Sequence, residues 1–397
     1  MTAGASKMKL GDLFLFKNGR SFKKEEWSQT GLPIIRIQNL NNSNADFNYF
    51  SGEFSNDILI GRNDLLFSWS GTVGSSFGSH LWKGETGVLN QHIFKVGFKR
   101  EIDKKYAYYA LQFITEEIEK SVSGAVGLVH ITKEKLNDFT IPYPAISAQQ
   151  RIVSTLDQAF EDIATATANA EKNLANAREL FQSELQAVFT NKREDWLEKP
   201  LGELCSLITK GSSPKWQGIS YVDKPGILFV TSENVGEYHL IMMDKPKYVE
   251  EKFNIKDKKS ILRKGDVLTN IVGASIGRTA IYDLDDGANI NQAVCLLRCN
   301  STLLNNRYLT YLLNSPVLIQ ILHDNEVNNA RANLSLGFFS QLPVPLPSVA
   351  EQRKIVGRFD EVHAETKKLE AIYQQKLVAL NELKKAILNQ AFTGQLH

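Results

Sequence analysis

The motif most suggestive of catalysis is Gly273-Ala274-Ser275-Ile276-Gly277. It matches the G-x-S-x-G pattern of a serine nucleophile on a sharp turn after a strand, and an apolar run precedes it. The Ser275 hydroxyl would then carry out acyl transfer. The sequence contains two similar copies of one long segment, and the motif lies in the second copy. The corresponding place in the first copy, Gly71-Thr72-Val73-Gly74, has no serine and a different glycine spacing. Because glycines at positive φ explain both places and catalysis explains only one, we interpret the motif as a turn.

Cysteine is the other residue type with possible chemistry. Cys295 and Cys299 are four residues apart, a spacing that two ligands of a metal site can have. Because they lie in the apolar run AVCLLRC, we interpret them as core thiols. With Cys205 they make three cysteines, a poor disulfide framework that fits a reducing compartment. The sequence contains no phosphate-binding loop, no G-x-G-x-x-G and no H-E-x-x-H. We therefore expect neither catalysis, nor a metal, nor a bound cofactor on this chain.

Length and composition indicate a globular protein of two or three domains. The chain has 397 residues, of which 43% are hydrophobic and 23% charged. It has no apolar run of roughly 18–20 residues and no signal-peptide pattern at its start, so the predicted location is the cytoplasm. The formal net charge is only +2. If the protein binds DNA, its basic residues must be concentrated locally, or a partner must supply many phosphate contacts.

The sequence repeats itself with a period of about 200 residues. The order of the matching segments is kept throughout, which chance explains poorly. The pairs are Leu10-Gly11-Asp12-Leu13 with Leu201-Gly202-Glu203-Leu204, Asn39 with Asn234, Asn90-Gln91 with Asn291-Gln292, and Tyr106 with Tyr308. The strongest match is IPYPAISAQQRIV (141–153) with VPLPSVAEQRKIV (344–356). Between these segments the two copies share little, which indicates one scaffold with two different surfaces.

A long helix is predicted after each proline-rich segment. Apolar or small residues there alternate at spacings of three and four, the pattern of a coiled-coil seam. In the first copy they are Ile152, Leu156, Ala159, Ile163, Ala166, Ala170, Leu174, Ala177 and Phe181. In the second copy they are Ile355, Phe359, Val362, Leu369, Tyr373, Leu377, Leu380 and Ile387. Ser147 with Gln150 and Ser348 with Glu351 are candidate capping boxes.

A helix of about 40 residues is roughly 60 Å long. Its single apolar stripe needs a partner that covers it. We expect the two to pack antiparallel, and the alternative that each folds back on its own domain stays open. Residues 10–140 and 201–343 contain short β-branched and aromatic runs broken by Gly and Asn, followed by helical stretches near 103–120 and 305–323. The predicted fold class is mixed α/β: two strand-rich α/β domains separated by two long antiparallel coiled-coil helices, with a pseudo-two-fold internal repeat.

These features resemble the DNA-specificity subunit of type I restriction–modification systems. The resemblance rests on the L-G-[DE]-L opening of each copy and on the two proline-rich segments that lead into long helices, and it covers essentially the full chain. It implies four parts: residues 1–146 as the first target recognition domain, 147–193 as a central long helix, 194–347 as the second target recognition domain, and 348–397 as a C-terminal long helix.

The resemblance also implies the function. Each target recognition domain would read one half of a bipartite, asymmetric site in double-stranded DNA, and the helices would fix the spacing between the halves. The chain itself would have no catalysis. Two adenine-N6 methyltransferase subunits using S-adenosylmethionine would dock on it, and two ATP-dependent translocase and endonuclease subunits, with ATP and Mg, would join them.

Residue types that read base edges give the candidate DNA-binding residues. In the first domain they are Arg20, Arg36, Gln38, Asn39, Ser68, Trp69 and His92. In the second domain they are Lys210, Lys215, Thr231, Ser232, Asn234, Asn270, Arg278 and Arg331. Gly71 and Gly273 would let the backbone approach the duplex.

Candidates that occur in both copies are weaker candidates for sequence discrimination, because the two copies should read different sequences. Asn39 and Asn234, and the Asn-Gln pairs, are favoured as scaffold turns or common phosphate contacts. Candidates that are not shared are favoured for specificity: Arg36, Trp69, Lys215, Arg278 and Arg331. Two rival functions stay open at this point, a coiled-coil adaptor that does not touch DNA and a serine hydrolase at Ser275.

Overall fold

The structure is a computed structural model that describes residues 6–42, 45–71, 76–122, 129–325 and 333–395. Its chain contacts divide it into two compact units, Met1–Ala170 with Gln375–His397, and Glu171–Gln374. Each unit contains one α/β domain and a stretch of each long helix. Among the helices in these described ranges, none is long and apolar enough to cross a membrane.

The first domain is built from short strands and helices. Its strands are β1 (Lys7–Lys9), β2 (Phe14–Asn18), β3 (Leu32–Ile35), β4 (Asn48–Phe50), β5 (Leu59–Ile60), β6 (Leu65–Ser68), β7 (Ser70–Gly71), β8 (Gly78–Leu81), β9 (Gly87–Leu89), β10 (Ile93–Phe98), β11 (Val129–His130) and β12 (Thr140–Pro142). Its helices are α1 (Leu10–Leu13), α2 (Ile37–Asn41), α3 (Lys104–Phe113), α4 (Thr115–Val122) and α5 (Lys133–Asp138). The long helix α6 (Ile146–Thr190) follows.

The second domain repeats this plan. Its strands are β13 (Leu197–Pro200), β14 (Cys205–Lys210), β15 (Tyr221–Val222), β16 (Ile227–Val230), β17 (Tyr248–Val249), β18 (Val267–Asn270), β19 (Thr279–Ile281), β20 (Ala288–Ile290), β21 (Val294–Cys299) and β22 (Pro343–Leu346). Its helices are α7 (Leu201–Leu204), α8 (Lys252–Lys256), α9 (Asn306–Leu313), α10 (Pro316–Asp324) and α11 (Leu336–Gln341). The long helix α12 (Val349–Thr393) follows.

The sheets of the two domains have matching topology. The antiparallel sheet β2-β10-β6-β8 corresponds to β14-β21-β18-β19, and the strand pair β1-β12 corresponds to β13-β22. A second four-stranded sheet contains one parallel pair in each domain, β3 with β9 and β16 with β20. The two sheets differ at both edges, because β5 is added beside β9 in the first domain, whereas β15 is added on the opposite side, beside β17, in the second. The predicted mixed α/β class and the internal repeat are confirmed.

Burial explains the central strands. Every residue of β6 and of β18 is buried, as expected for strands covered on both faces, whereas β2 alternates between buried and exposed at its start. Each predicted helical stretch after the sheet is two helices, α3 with α4 and α9 with α10. The break in the second domain has a local cause: Ser315 caps α10 through its side chain, and Pro316 occupies the first turn.

The long helices pair antiparallel within each unit. In the unit Glu171–Gln374, Arg178 lies 3.7 Å from Glu370 and Glu184 lies 2.6 Å from Arg358, so positions descend along α12 as they rise along α6. In the other unit the Lys384 ammonium lies 5.3 Å from the Phe160 ring centroid, so α6 and α12 are in contact there too. The start of α6 also joins the core of the first domain. The helices therefore pack on each other and also on their domains.

Two details of the helix prediction are wrong. Ser147 lies inside α6, which begins at Ile146, so it cannot cap the helix; Ser348 does cap α12 and accepts from the Glu351 N–H at 3.3 Å. The seam on α12 is also less buried than its spacing suggests. Leu369 is 36% exposed, and Thr366 is buried instead at 2%. The Thr366 hydroxyl is tolerated in this buried position because it donates to the His363 carbonyl, one turn earlier, at 2.8 Å.

Candidate nucleic-acid interface

A buried glutamine near the start of α6 ties this helix to the first domain. The Gln149 amide oxygen accepts the Asp103 N–H at 2.8 Å, and its NH2 group donates to the Pro144 carbonyl at 2.8 Å. The Tyr106 hydroxyl donates to the Pro142 carbonyl at 2.7 Å. These bonds connect the first turn of α3, the proline-rich segment and α6.

The second domain has the same arrangement at the start of α12. The Gln352 amide oxygen accepts the Asn305 N–H at 2.8 Å, and its NH2 group donates to the Pro347 carbonyl at 2.9 Å. The Tyr308 hydroxyl donates to the Pro345 carbonyl at 2.8 Å. We refer to Gln149 and Gln352 with these bonds as the glutamine clamps.

A second tyrosine extends each clamp by one helical turn. Tyr109 donates to the Asp157 carboxylate at 2.7 Å, and Tyr311 donates to the Asp360 carboxylate at 2.5 Å. Burial, together with the neighbouring carboxylate, raises the pKa of both tyrosines well above the usual 10. Both hydroxyls therefore stay protonated as donors, and the two domains are mounted on their helices in the same way.

An aromatic cluster lies at one end of the first domain's antiparallel sheet. The Trp69 ring centroid is 5.3 Å from that of His92 and 4.6 Å from that of His130. The Trp69 Nε1 and the His92 Nδ1 are buried, and neither has a hydrogen-bond partner among the described residues. Such unsatisfied polar atoms are uncommon and are often found at functional positions.

The second domain has different side chains on the same backbone. The Trp69 N–H donates to the His92 carbonyl at 3.3 Å, and the Ile271 N–H donates to the Ala293 carbonyl at 2.9 Å. The indole and imidazole of the first domain are thus replaced by an aliphatic chain and a methyl group. The shared scaffold accepts either pair.

A third position shows the same contrast. His130 is followed by Ile131, whose N–H donates to the Trp69 carbonyl at 3.0 Å. Asn333 is followed by Leu334, whose N–H donates to the Ile271 carbonyl at 2.9 Å. His130 and Asn333 are both exposed. Three equivalent backbone positions therefore carry Trp, His and His in one copy and Ile, Ala and Asn in the other.

Arg20, another candidate of the first domain, is held by contacts within the domain. It is ion-paired with Glu26, and its guanidinium lies 5.1 Å and 4.9 Å from the ring centroids of Phe22 and Phe50. Its backbone N–H bonds to the Leu89 carbonyl at 2.8 Å. About 39% of the side chain is exposed, so it remains accessible to a phosphate at its edge.

Arg36 precedes the short helix α2, and Gln38 lies in its first turn. The Arg36 guanidinium donates to the Asn48 side chain at 3.1 Å and lies 5.7 Å from a Trp27 ring centroid. The exposed Gln38 donates to the Asp46 carbonyl at 3.3 Å. Both side chains make hydrogen bonds within the domain, and they would have to exchange these bonds for contacts with DNA.

The asparagines shared by the two copies have matching structural roles. The Asn39 side-chain oxygen accepts the Arg36 N–H at 3.0 Å, and the Asn234 side-chain oxygen accepts the Thr231 N–H at 3.0 Å. Asn39 and Asn234 are only 4% and 8% exposed, and Thr231 is 6% exposed. The buried Ser68 is similarly engaged, donating to a backbone carbonyl two residues later at 3.0 Å. These four side chains stabilise local turns, and their contact with DNA stays a prediction.

Asn270 organises the turn that contains the G-x-S-x-G motif. It is fully buried and donates to the Ser232 carbonyl at 2.9 Å and to the Ser275 hydroxyl oxygen at 3.1 Å. Gly273 has φ +80°, which only glycine adopts easily, and the following turn presents the exposed Arg278. Ser275 thus accepts from an amide, and the structure gives it no basic partner within the described ranges. This geometry fits a turn and not a nucleophile.

The lysine candidates Lys210 and Lys215 are exposed, at the end of β14 and in the 3-10 turn Lys215–Gln217. Arg331 lies outside the described residues. Two exposed side chains are not among the candidates predicted from sequence: Trp216, which is 82% exposed in the same turn, and His130. The signal for Trp216 was its position between Pro214 and Gly218, two residues that favour a projecting turn.

The cysteines are not arranged for metal binding. Cys205 lies opposite Cys299 in the β14-β21 pair, and all three thiols are free. A hydrogen bond that the Cys299 thiol donates to Cys205, with burial, raises the pKa of Cys299, and burial raises the pKa of Cys295. Protonated thiols are poor metal ligands. In the described part of the chain no group of three His, Cys, Asp or Glu residues is placed to hold a metal ion.

Comparison with known proteins gives one consistent family. A profile described as "Type I restriction modification DNA specificity domain" matches residues 4–174 and again residues 193–379. The chain is 27% identical over 411 aligned residues to the type I restriction enzyme EcoBI specificity subunit of Escherichia coli, covering 96% of this chain and 83% of that protein.

Solved structures share the fold. A chain from a study of complex assembly and conformational transition in a type I R-M system superposes with a TM-score of 0.76 at 18% identity, covering 98% of each chain. The HsdS subunit from Thermoanaerobacter tengcongensis gives a TM-score of 0.59 at 21% identity, covering 99% of this chain and 97% of that one. At these identities the similarity shows the fold alone.

Proposed function

From the premise that this chain belongs to the type I restriction–modification DNA specificity family, we propose how its two domains divide the recognition of one DNA site. Membership makes the chain the sequence-recognition component of a type I system, a role without catalysis of its own. It therefore works with DNA and with the other subunits of such a system.

We propose that residues 1–146 and 194–347 are the two target recognition domains, and that each reads one half of a bipartite, asymmetric site. One observation carries this proposal: equivalent backbone positions hold Trp69 and His92 in one domain and Ile271 and Ala293 in the other. Two copies of one scaffold with different side chains would read two different half-sites. Residues 147–193 and 348–397 would set the spacing between the halves.

The DNA-contacting residues are part of this proposal. Exposed cations would contact phosphates or base edges, and the side chains that differ between the copies would discriminate sequence. The exposed candidates with the greatest freedom are Lys210, Lys215 and Arg278. The shared Asn39 and Asn234 would hold the turns that begin at Arg36 and at Thr231, which are candidates too.

The partners are also proposed. Two methyltransferase subunits using S-adenosylmethionine would bind the helices and domains, and two endonuclease and translocase subunits using ATP and Mg would complete a restriction complex. The net charge of only +2 supports a shared DNA interface, because the partners would then supply part of the phosphate contacts. The three free thiols support a cytoplasmic location.

The test is a methylation map of host DNA with and without the gene. Loss of adenine methylation at one bipartite motif, with all other motifs unchanged, is the expected result. An unchanged methylation map would contradict the proposal and would favour an adaptor role.

A further inference from the structure

One large apolar side chain of the second domain projects almost completely into solvent. Trp216 is 82% exposed, more than any other large hydrophobic residue in the described ranges. A tryptophan is rarely left so exposed unless a partner covers it, because its indole carries a large apolar surface.

The turn that presents Trp216 is held firmly. The Gln217 and Ile219 N–H groups both donate to the Pro214 carbonyl at 3.0 Å, and Gly218 closes the turn at φ +65°. The Lys256 ammonium donates to the Gln217 carbonyl at 2.7 Å. The exposure is therefore fixed by the backbone and is not that of a loose loop.

Side-chain bonds anchor the same turn to the domain. Gln217 donates to the Ser212 hydroxyl, which donates to the Asp257 carboxylate at 2.5 Å. The loop begins at Gly211, a position that requires glycine because a Cβ there would collide with the Ile290 carbonyl. These contacts hold the loop against the end of β20.

Positive charge accompanies the indole. Lys215 precedes Trp216 in the turn, and Lys210 ends the strand that leads into the loop. Lys258 and Lys259 are exposed next to Asp257, to which the loop is anchored. Among the described residues, no ion pair is recorded for any of these four ammonium groups. An exposed aromatic ring with unpaired cations is complementary to a nucleic acid.

The first domain shows that the fold does not require this exposure. Its corresponding loop begins at Gly19, where a Cβ would collide with the Asn90 carbonyl, and it contains the 3-10 turn Lys24–Glu26 followed by Trp27. Trp27 is only half-buried and is covered by the Arg36 guanidinium. The exposed indole therefore belongs to the surface of the second domain and not to the shared scaffold.

We infer that Trp216 packs its indole against the DNA duplex at the half-site of the second domain, with the Lys215 ammonium on an adjacent phosphate. The inference rests on the proposed function, since it assumes that this domain binds DNA. Trp216 contributes an apolar contact in a groove, and Lys215 contributes an electrostatic one.

The experiment uses the full chain assembled with its methyltransferase subunit and a duplex that contains the mapped site. Trp216→Ala is expected to weaken binding at least about tenfold, as for other aromatic contacts to bases, and Trp216→Phe to weaken it less. Lys215→Ala is expected to reduce the slope of log affinity against log salt by about 1, whereas Trp216→Ala leaves that slope unchanged. The thermal midpoint should change little in Trp216→Ala because the side chain is exposed.

Leu197→Ala is the matched control, because Leu197 is a 65% exposed apolar residue of the same unit, in β13. Affinity of Trp216→Ala within twofold of the wild type, or an equal loss in Leu197→Ala, would overturn the inference. So would a loss of the methyltransferase subunit from the Trp216→Ala complex, since the indole would then cover a protein contact. A wild-type complex that methylates no bipartite site would instead contradict the proposed function itself.

Discussion

Trp69 and His92 are the residues at which the two domains differ most clearly on the same backbone. Because Ile271 and Ala293 occupy the equivalent positions, a Trp69→Ile/His92→Ala double variant should keep the fold. We predict that it loses discrimination at the first half-site by about 5- to 150-fold, the range for one lost base contact. Methylation rates on duplexes with single base changes in each half would measure this.

The control for that prediction is Ser275→Ala in the second domain. It should leave discrimination at the first half-site unchanged, since the Ser275 hydroxyl bonds to Asn270 within the second domain's own turn. Equal discrimination by the double variant and the wild type would show that these positions do not read DNA.

His363 on α12 gives the protein a predicted sensitivity to acid. Its ring lies 4.7 Å from Phe181 and 5.2 Å from Tyr238, and burial, followed by the nearby Lys367, lowers its pKa below 6.5. The folded state therefore favours neutral imidazole. This contribution to stability is present above pH 6.5 and is lost as the pH falls through the lowered pKa.

Thermal unfolding between pH 7.5 and pH 5 would test this. His363→Phe keeps an aromatic ring but cannot titrate, so its midpoint should fall less with acid than that of the wild type. Parallel pH profiles for the two proteins would contradict the assignment. Glu370, Asp360 and His239 also act on this imidazole, so only the difference between the profiles isolates it.

At the scale of elements, the glutamine clamps are predicted to determine how firmly each domain is held on its helix. Gln149→Ala would leave the half-buried Asp103 N–H and Pro144 carbonyl without these bonds, which costs about 1–3 kcal/mol. Denaturant unfolding would measure it. Gln150→Ala is the matched control, because Gln150 is the exposed neighbour and should change stability by less than about 0.5 kcal/mol. Equal effects of the two substitutions would refute the clamp.

Sequence predicted these elements where the signal is local. The coiled-coil spacing and the proline-rich segments predicted α6 and α12, because apolar periodicity and proline act on the chain directly. The predicted burial of the seam residue Leu369 was wrong, because burial also depends on the residues of the facing helix. The engagement of Asn39 in a turn, and the exposure of Trp216, depend on loop geometry that spacing does not encode. For this reason the base-reading residues could not be fixed from sequence.

At the scale of the whole molecule, each α/β domain is predicted to be exchangeable. Replacing residues 201–343 with those of another family member should change one half of the recognised site and leave the other half intact. The physical reason is that both domains are mounted through the same clamp, so a new domain would find the same bonds at Gln352. Methylation mapping would measure it. A simultaneous change in both halves would exclude one domain per half-site.

The composition of the two units has a consequence for synthesis on the ribosome. Unit Glu171–Gln374 is one continuous stretch, whereas the other unit draws Ala391 and Phe392 into the core that surrounds Tyr106. The chain emerges from its N-terminus at about 5–20 residues per second. The first domain to be translated must therefore wait for the last helical turns before its core is complete, while the second can finish folding earlier.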